Sequence, residues 1–348
     1  MKWARAIGIL ALLSGCAMEG RSAESSGGPY TGYEGDTAGG PASSGSGSGA
    51  VEAGTLTAGA WDDNRNFERF TQFRQEVIDS DASGLVPFTE EEHAAAHARF
   101  SGARSAHTTL DVALVIDTTG SMGDEIRYLQ AELADIATRV HAAYPGASTR
   151  WALVLYRDSG DEYVVRTFDF ESNVDTFRAS LAAQRADGGG DYPEASHAAL
   201  LAMANLAWRE GASTARLAFW VADAPHHAEV AAEQAMAVRS AVDLDVHIYP
   251  VASSGVDRIT EHSMRASAQL TGGRYLFLTD DSGVGGSHLE PSIPCYFVTR
   301  LNDAMLRMVD MEMSGEYREP EAASILRTGG DPTDGACTLE SGETVLIF

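Results

Sequence analysis

The chain has 348 residues, with 25 Lys and Arg against 50 Asp and Glu, a formal net charge of −25, and 44% hydrophobic residues. A nucleic-acid binder needs a basic footprint to neutralise phosphates, and here the only lysine is Lys2, so no nucleic-acid partner is expected. The apolar share is ordinary for a globular protein, and the longest apolar run, Ile7 to Leu13, is far short of the ~20 residues a membrane-spanning helix needs.

Residues 1–15 carry Lys2 and Arg5, then a short apolar core, then small residues, the layout of an export signal. The sequence Leu13-Ser14-Gly15-Cys16 is similar to the lipobox of bacterial lipoproteins, which implies that Cys16 is acylated and becomes the new N-terminus. An ordinary cleaved secretory signal is the other reading. Ala17 in place of an aspartate implies, by the same resemblance, the outer membrane as destination. Residues 16–55 read as a tether: between Ser25 and Ala50 there are nine Gly, six Ser and two Pro, too little apolar surface to order the segment. In an exported chain without a CxxC or Cys/His cluster, Cys295 and Cys337 are expected to form a disulfide.

Residues 56–107 read as a short helical extension, because Trp61, Phe67, Phe70 and Phe73 recur at spacings that put the phenylalanines on one helical face. Asp62, Asn64 and Asn66 copy the first ligand positions of an EF-hand loop, but Phe67 and Phe73 replace its glycine and glutamate, so calcium is not expected there. From residue 108 to 315, apolar runs alternate with helical segments, the pattern of a doubly wound α/β sheet. The runs Val112–Ile116, Trp151–Tyr156, Tyr163–Phe168, Leu217–Ala222, Val246–Val251 and Tyr275–Leu278 predict a mostly parallel six-stranded sheet. Only Arg157 to Glu162 separate the second and third runs, too few for a helical crossover, so the third strand is expected to be antiparallel at one edge. Helices are expected over Asp124–Ala143, Pro193–Arg209 and Ala228–Val242. Residues 316–348 read as a C-terminal tail.

The first core strand ends in Asp117-Thr118-Thr119-Gly120-Ser121. Ligands of open α/β sheets bind beyond the carboxyl ends of the strands, and this turn offers one carboxylate and two hydroxyls there, all hard oxygen donors suited to Mg²⁺ or a similar cation. At these residues the chain resembles the von Willebrand factor A domain, over roughly Thr109 to Gly315. The resemblance implies a metal-ion-dependent adhesion site in which Asp117, Thr119 and Ser121 form the first ligand loop and Asp223 follows the fourth strand. It also implies a ligand from the middle loop, where Gly188-Gly189-Gly190-Asp191-Tyr192-Pro193-Glu194 places Asp191 in the position of the family's threonine. Some bacterial members of this family carry similar GGGDxPE loops and a sequence like Tyr156-Arg157-Asp158. A further carboxylate makes the protein shell more negative, which raises metal affinity and weakens the pull on an external acidic ligand. Asp124 and Glu125 fall where integrin β subunits hold an adjacent second ion; acidic residues in a first helical turn also suit the helix dipole without any metal. Asp280-Asp281-Ser282-Gly283 reads as a turn.

The expected function is that of an envelope-anchored domain that binds a protein or surface ligand, through an acidic residue of that ligand and a bound Mg²⁺, with Mn²⁺ or Ca²⁺ as other candidates. The alternative is a structural or assembly component whose metal site is closed by Asp191 or holds no metal. A metal-assisted hydrolase using His226 and His227 is third, because neither a GxSxG elbow nor an HExxH helix occurs, so no enzyme activity is expected.

Overall fold

The computed structural model describes residues 51–190 and 192–348; the export signal, Cys16, most of the tether and Asp191 lie outside the described residues. The chain opens with strand β1 (Thr57–Trp61), then helices α1 (Phe67–Ser80) and α2 (Glu90–Phe100). There follow β2 (Thr109–Asp117), α3 (Ile126–Ala143), β3 (Ser148–Tyr156), β4 (Val165–Glu171), α4 (Val174–Ala182) and α5 (Ser196–Ala204). The second half runs β5 (Thr214–Ala222), α6 (Ala231–Asp243), β6 (His247–Ala252), α7 (Arg258–Thr271), β7 (Tyr275–Leu278), β8 (Tyr296–Arg300) and α8 (Leu301–Ser314). Three short strands end it: β9 (Arg327–Gly329), β10 (Ala336–Thr338) and β11 (Thr344–Leu346).

The six expected strands are β2 to β7, and they lie side by side with β4 antiparallel at the edge, paired to β3 from Trp151↔Glu171 to Tyr156↔Val165. The sheet is nevertheless nine-stranded, in the order β4-β3-β2-β5-β6-β7-β1-β8-β9. The extension over 56–107, expected to be helical, holds α1 and α2 but begins with a strand, β1, which inserts antiparallel between β7 and β8, and Trp61 sits in that strand. The tail 316–348 is likewise no loose end, since β9 joins the sheet beside β8 and β10 pairs with β11.

Along β2 the side chains alternate between two cores, as a strand covered on both faces requires. Leu110, Val112, Leu114 and Ile116 meet Leu129, Leu133 and Ile136 of α3 and Met305 and Met308 of α8. Ala113 and Val115 belong to the other core, with Leu200 and Met203 of α5, Val238 of α6 and Met264 of α7. The helix α7 is buried from Thr260 to Thr271 although many of its residues are polar. Its Arg265 is bound by Asp63 (2.6 Å) and Glu261 (3.0 Å), and its Gln269 bonds Asn64 and His93. The Asp62-Asp63-Asn64 sequence is thus the polar fastening between the N-terminal segment and α7. Cys295 and Cys337, 42 residues apart, are disulfide-bonded, which ties β10 to the start of β8.

Candidate metal centre

The parallel strands β2 and β5 end together; β2 ends in Asp117 and Asp223 directly follows the end of β5, which delivers both to the carboxyl pole of the sheet. Asp117 is fully buried. Its Oδ1 accepts from the Thr119 N–H (2.9 Å) and the Thr119 hydroxyl (2.6 Å), and the Thr119 and Ser121 hydroxyls lie 3.1 Å apart. The glycine-rich loop closes on this turn: the Gly120 N–H donates to Gly188 O (3.0 Å) and the Asp187 N–H to Thr118 O (3.0 Å). Gly188 and Gly189 have φ of 77° and 71°, a left-handed pair that side-chain-bearing residues rarely adopt. A Cβ on Gly188 would also fall 2.4 Å from an Asp161 carboxylate oxygen.

Four carboxylate oxygens around this pole are buried and lack a hydrogen-bond partner: Asp117 Oδ2, Asp223 Oδ1, Glu194 Oε2 and Glu125 Oε2, the last on a carboxylate whose other oxygen is bonded. Burial, and next the Asp223 charge, raise the Asp117 pKa. Burial raises that of Asp223 as well. Glu194 is pushed up to about 9 by burial and then by the charges of Asp117, Asp158 and Asp223. Each shift records the same physics, negative charge held in a poorly hydrated place without a compensating cation. Ser121, Asp124, Glu194 and Asp223 line an open cavity of about 390 Å³, whose far wall is formed by Tyr192, Ser254 and Ser287.

The structure brings Asp117, Thr119, Ser121 and Asp223 to one pole, while Asp191 lies outside the described residues. The donors fit a hard divalent cation: two carboxylates with unused buried oxygens and two hydroxyls. Among the described residues, no three His, Cys, Asp or Glu side chains form a metal-holding group by themselves, so hydroxyls would be needed to complete the set. Of the second-ion pair, Asp124 faces the cavity, but Glu125 points elsewhere. It accepts from Ser254 N–H (3.2 Å) and His288 Nε2 (3.1 Å). Burial would raise its pKa, and those bonds outweigh it and hold the carboxyl below the ordinary value. Nor does Glu125 serve the dipole as a cap, since its side chain makes no capping bond to α3.

Sequence reasoning missed Glu194. Pro193 suggested a helix already begun, yet α5 starts at Ser196, and Glu194 instead runs beside the Asp223 loop, its N–H donating to Pro225 O (2.8 Å). The usable signal was its place at the end of a glycine-rich, acidic loop. His227 Nε2 meets Asp158 Oδ1 at 2.7 Å. His226 is buried, and neither ring nitrogen has a partner. The Asp280 turn is a short 3-10 segment whose carboxylates bind His288 and Arg327.

Residues 111–283 match the family profile described as von Willebrand factor A domain. The chain therefore contains a domain of that family, and the pole just described lies within it. A curated relative, an ariadne-like RING finger protein of Acanthamoeba polyphaga mimivirus, is 29% identical over 118 residues, 34% of this chain and 11% of the viral protein. Among solved structures, the pilus adhesin SpaC from Lactobacillus rhamnosus GG aligns at 12% identity and a TM-score of 0.38, over 49% of this chain and 28% of the adhesin. BatB from Bacteroides thetaiotaomicron aligns at 9% identity and a TM-score of 0.42, over 59% of this chain and 98% of its own. The chain thus spans only a small part of the viral relative and of the adhesin. No helix among the described residues is long and apolar enough to cross a membrane.

Proposed function

We propose that the protein binds a protein or surface ligand through a divalent cation, Mg²⁺ or alternatively Mn²⁺ or Ca²⁺, held by Asp117, Thr119, Ser121, Asp191 and Asp223. The observation that carries this reading is the pair of buried, unpartnered oxygens on Asp117 and Asp223, an arrangement too costly to keep unless something positive compensates it. When bound, the ion supplies an electrophilic contact for an oxygen of the ligand. The Asp117-to-Ser121 turn orients the donors, and the cavity walls around Tyr192, Ser254 and Ser287 supply the shape that selects the partner. An acidic side chain on the partner suits this contact, and the role is recognition without catalysis. In the same proposal the domain is carried on a lipid anchor in the cell envelope, at the outer membrane, a reading supported by the signal-like layout of residues 1–15 and by Cys16 with Ala17 after it.

Calorimetric titration with Mg²⁺, Mn²⁺ and Ca²⁺ tests the site. Saturable binding that disappears in Asp117→Ala and Asp223→Ala is the expected result; binding that persists unchanged in both variants rules the site out. A second reading, a closed site in an assembly component, is favoured by the buried Glu194 carboxylate beside the cavity. Ligand capture that vanishes with a chelator distinguishes the open site from the closed one.

A further inference from the structure

Five arginines are buried among the described residues: Arg157, Arg216, Arg265, Arg274 and Arg307. Four of them have a carboxylate partner: Glu162 for Arg157 (3.6 Å), Asp245 for Arg216 (3.7 Å), Asp63 for Arg265 (2.6 Å) and Asp62 for Arg274 (3.2 Å). Arg307, on α8, is 7% exposed and pairs with no acid among the described residues. Its one hydrogen bond there runs from Nη1 to Arg318 O (3.2 Å), and its buried Nε has no partner. Burial pushes the pKa of Arg307 down, but only to about 10, so the guanidinium is charged at neutral pH. A buried charge without a counter-charge strongly destabilises a fold.

Arg307 lines a cavity of about 260 Å³ between α8 and the chain that follows it, with Arg139 of α3 and Arg318 also on its wall. The acids of that wall are not placed to serve Arg307. Asp303 holds Arg139 (2.8 Å), and Asp310 accepts from the Tyr144 hydroxyl (2.5 Å). Glu319 and Glu321 are exposed, and Glu319 Oε1 is turned toward residue 335, 2.6 Å from where a Cβ on Gly335 would lie. The ring of Phe348 lies 4.7 Å from the Arg307 guanidinium carbon and covers one of its faces. What is left for a ligand is the edge formed by Nε and Nη2, a planar fork of two N–H donors that matches two oxygens of a carboxylate or a phosphate.

We propose that the cavity between α8 and residues 318–324 is a binding site for a small oxyanion, a phosphate or a carboxylate, held by the Nε and Nη2 edge of Arg307 with Arg318 and Arg139 on the surrounding wall. The anion supplies the counter-charge that the fold itself withholds from Arg307. The acids on the same wall disfavour a large polyanion and leave room for a compact one. This cavity shares no residue with the one at the carboxyl pole, so the inference stands or falls apart from the cation reading.

The test is calorimetric titration of the full-length protein with sodium phosphate and, separately, sodium acetate, at an ionic strength held constant with sodium chloride. Wild type is compared with Arg307→Met, Arg318→Gln and Glu319→Gln. Saturable binding of at least one anion below about 50 mM is expected, with phosphate alone marking a phosphate site and acetate alone a carboxylate site. Arg307→Met should weaken that binding about tenfold or more. Where Arg307→Met folds poorly, the two substitutions of exposed residues carry the test: affinity should fall about threefold in Arg318→Gln and rise by a similar factor in Glu319→Gln. The inference is overturned if wild type shows no saturable binding of either anion, or if Arg307→Met matches wild type within about twofold. Unchanged affinity in both Arg318→Gln and Glu319→Gln overturns it equally.

Discussion

Asp117 has one oxygen satisfied by the Thr119 turn and the other unsatisfied, which makes it a place where stability and function pull apart. Asn at this position keeps an acceptor for the Thr119 donors and removes a buried charge that faces Asp223. Asp117→Asn is expected to raise the metal-free melting temperature by about 3 °C, equivalent to roughly 1 kcal/mol, and to abolish the further rise produced by Mg²⁺. A drop in the metal-free melting temperature would contradict this account. Two histidines buried where the N-terminal helices meet α7, His93 of α2 and His262 of α7, work in the opposite sense. Burial drives the His262 pKa down to about 3 and that of His93 to about 4, while both titrate near the ordinary 6.5 in the unfolded chain. The unfolded chain thus binds more protons between those values, and stability falls as the pH drops below about 6.5, with a slope of up to about 1.4 kcal/mol per pH unit for each histidine. Chemical denaturation at pH 7 and pH 5 checks it: His262→Leu should lose about 2 kcal/mol less than wild type on acidification, and an identical loss would exclude His262 as a source. The Asp117-to-Ser121 turn and Asp223 are legible in the sequence because the turn has a fixed spacing and each follows a strong strand. Glu194 is not, because its position depends on a backbone bridge to residue 226 that local sequence does not encode.

At the level of elements, legibility follows the strength of local patterning. The strands β2, β3, β5, β6 and β7 contain unbroken apolar runs, and the short link to β4 dictates its direction. By contrast β1, Thr-Ala-Gly-Ala-Trp, has low intrinsic strand preference and exists because the exposed flank of β7 pairs with it. Gly59 is the residue that lets it fit: a Cβ there would lie 2.2 Å from the Phe277 ring, which lies over the glycine. Gly59→Val is therefore expected to destabilise the protein by about 1–3 kcal/mol through overpacking. Because β8 and β9 reach the sheet only through β1, the damage should include faster proteolysis at residues 316–335; unfolding at the wild-type denaturant midpoint would refute the central role given to β1. The helix α7 makes the complementary point. Its polar composition reads as a surface helix, and it is buried only because α1, α2 and the Asp62-Asp63-Asn64 fastening cover it, a tertiary fact that periodicity does not reveal.

For the molecule as a whole, the cysteine pairing expected from composition is present, and it closes over the least regular part of the chain. The C-terminal strands are short, so much of their persistence comes from the covalent link. Reduction is expected to cost about 4 kcal/mol by the loop-entropy relation for such a separation and to release residues 330–348 to proteases before the sheet unfolds. Unaltered stability after complete reduction would mean that β10 and β11 are held by packing alone.

The antiparallel setting of β1 also fixes how the domain can be presented. Ala58 pairs with Leu278, at the carboxyl end of β7, and Trp61 pairs with Tyr275, so the chain comes into β1 from the pole that bears the cavity. The ring of Phe348 lies 5.3 Å from the guanidinium of Arg274, at the start of β7 and hence at the opposite pole. A support attached close ahead of β1 would meet the sheet at the pole that bears the cavity. A support attached beyond Phe348 turns the cavity outward. If the proposed N-terminal anchor holds the domain, the pole that bears the cavity is the one nearer the attachment, so a target carried on the same surface would be met more readily than one far from it.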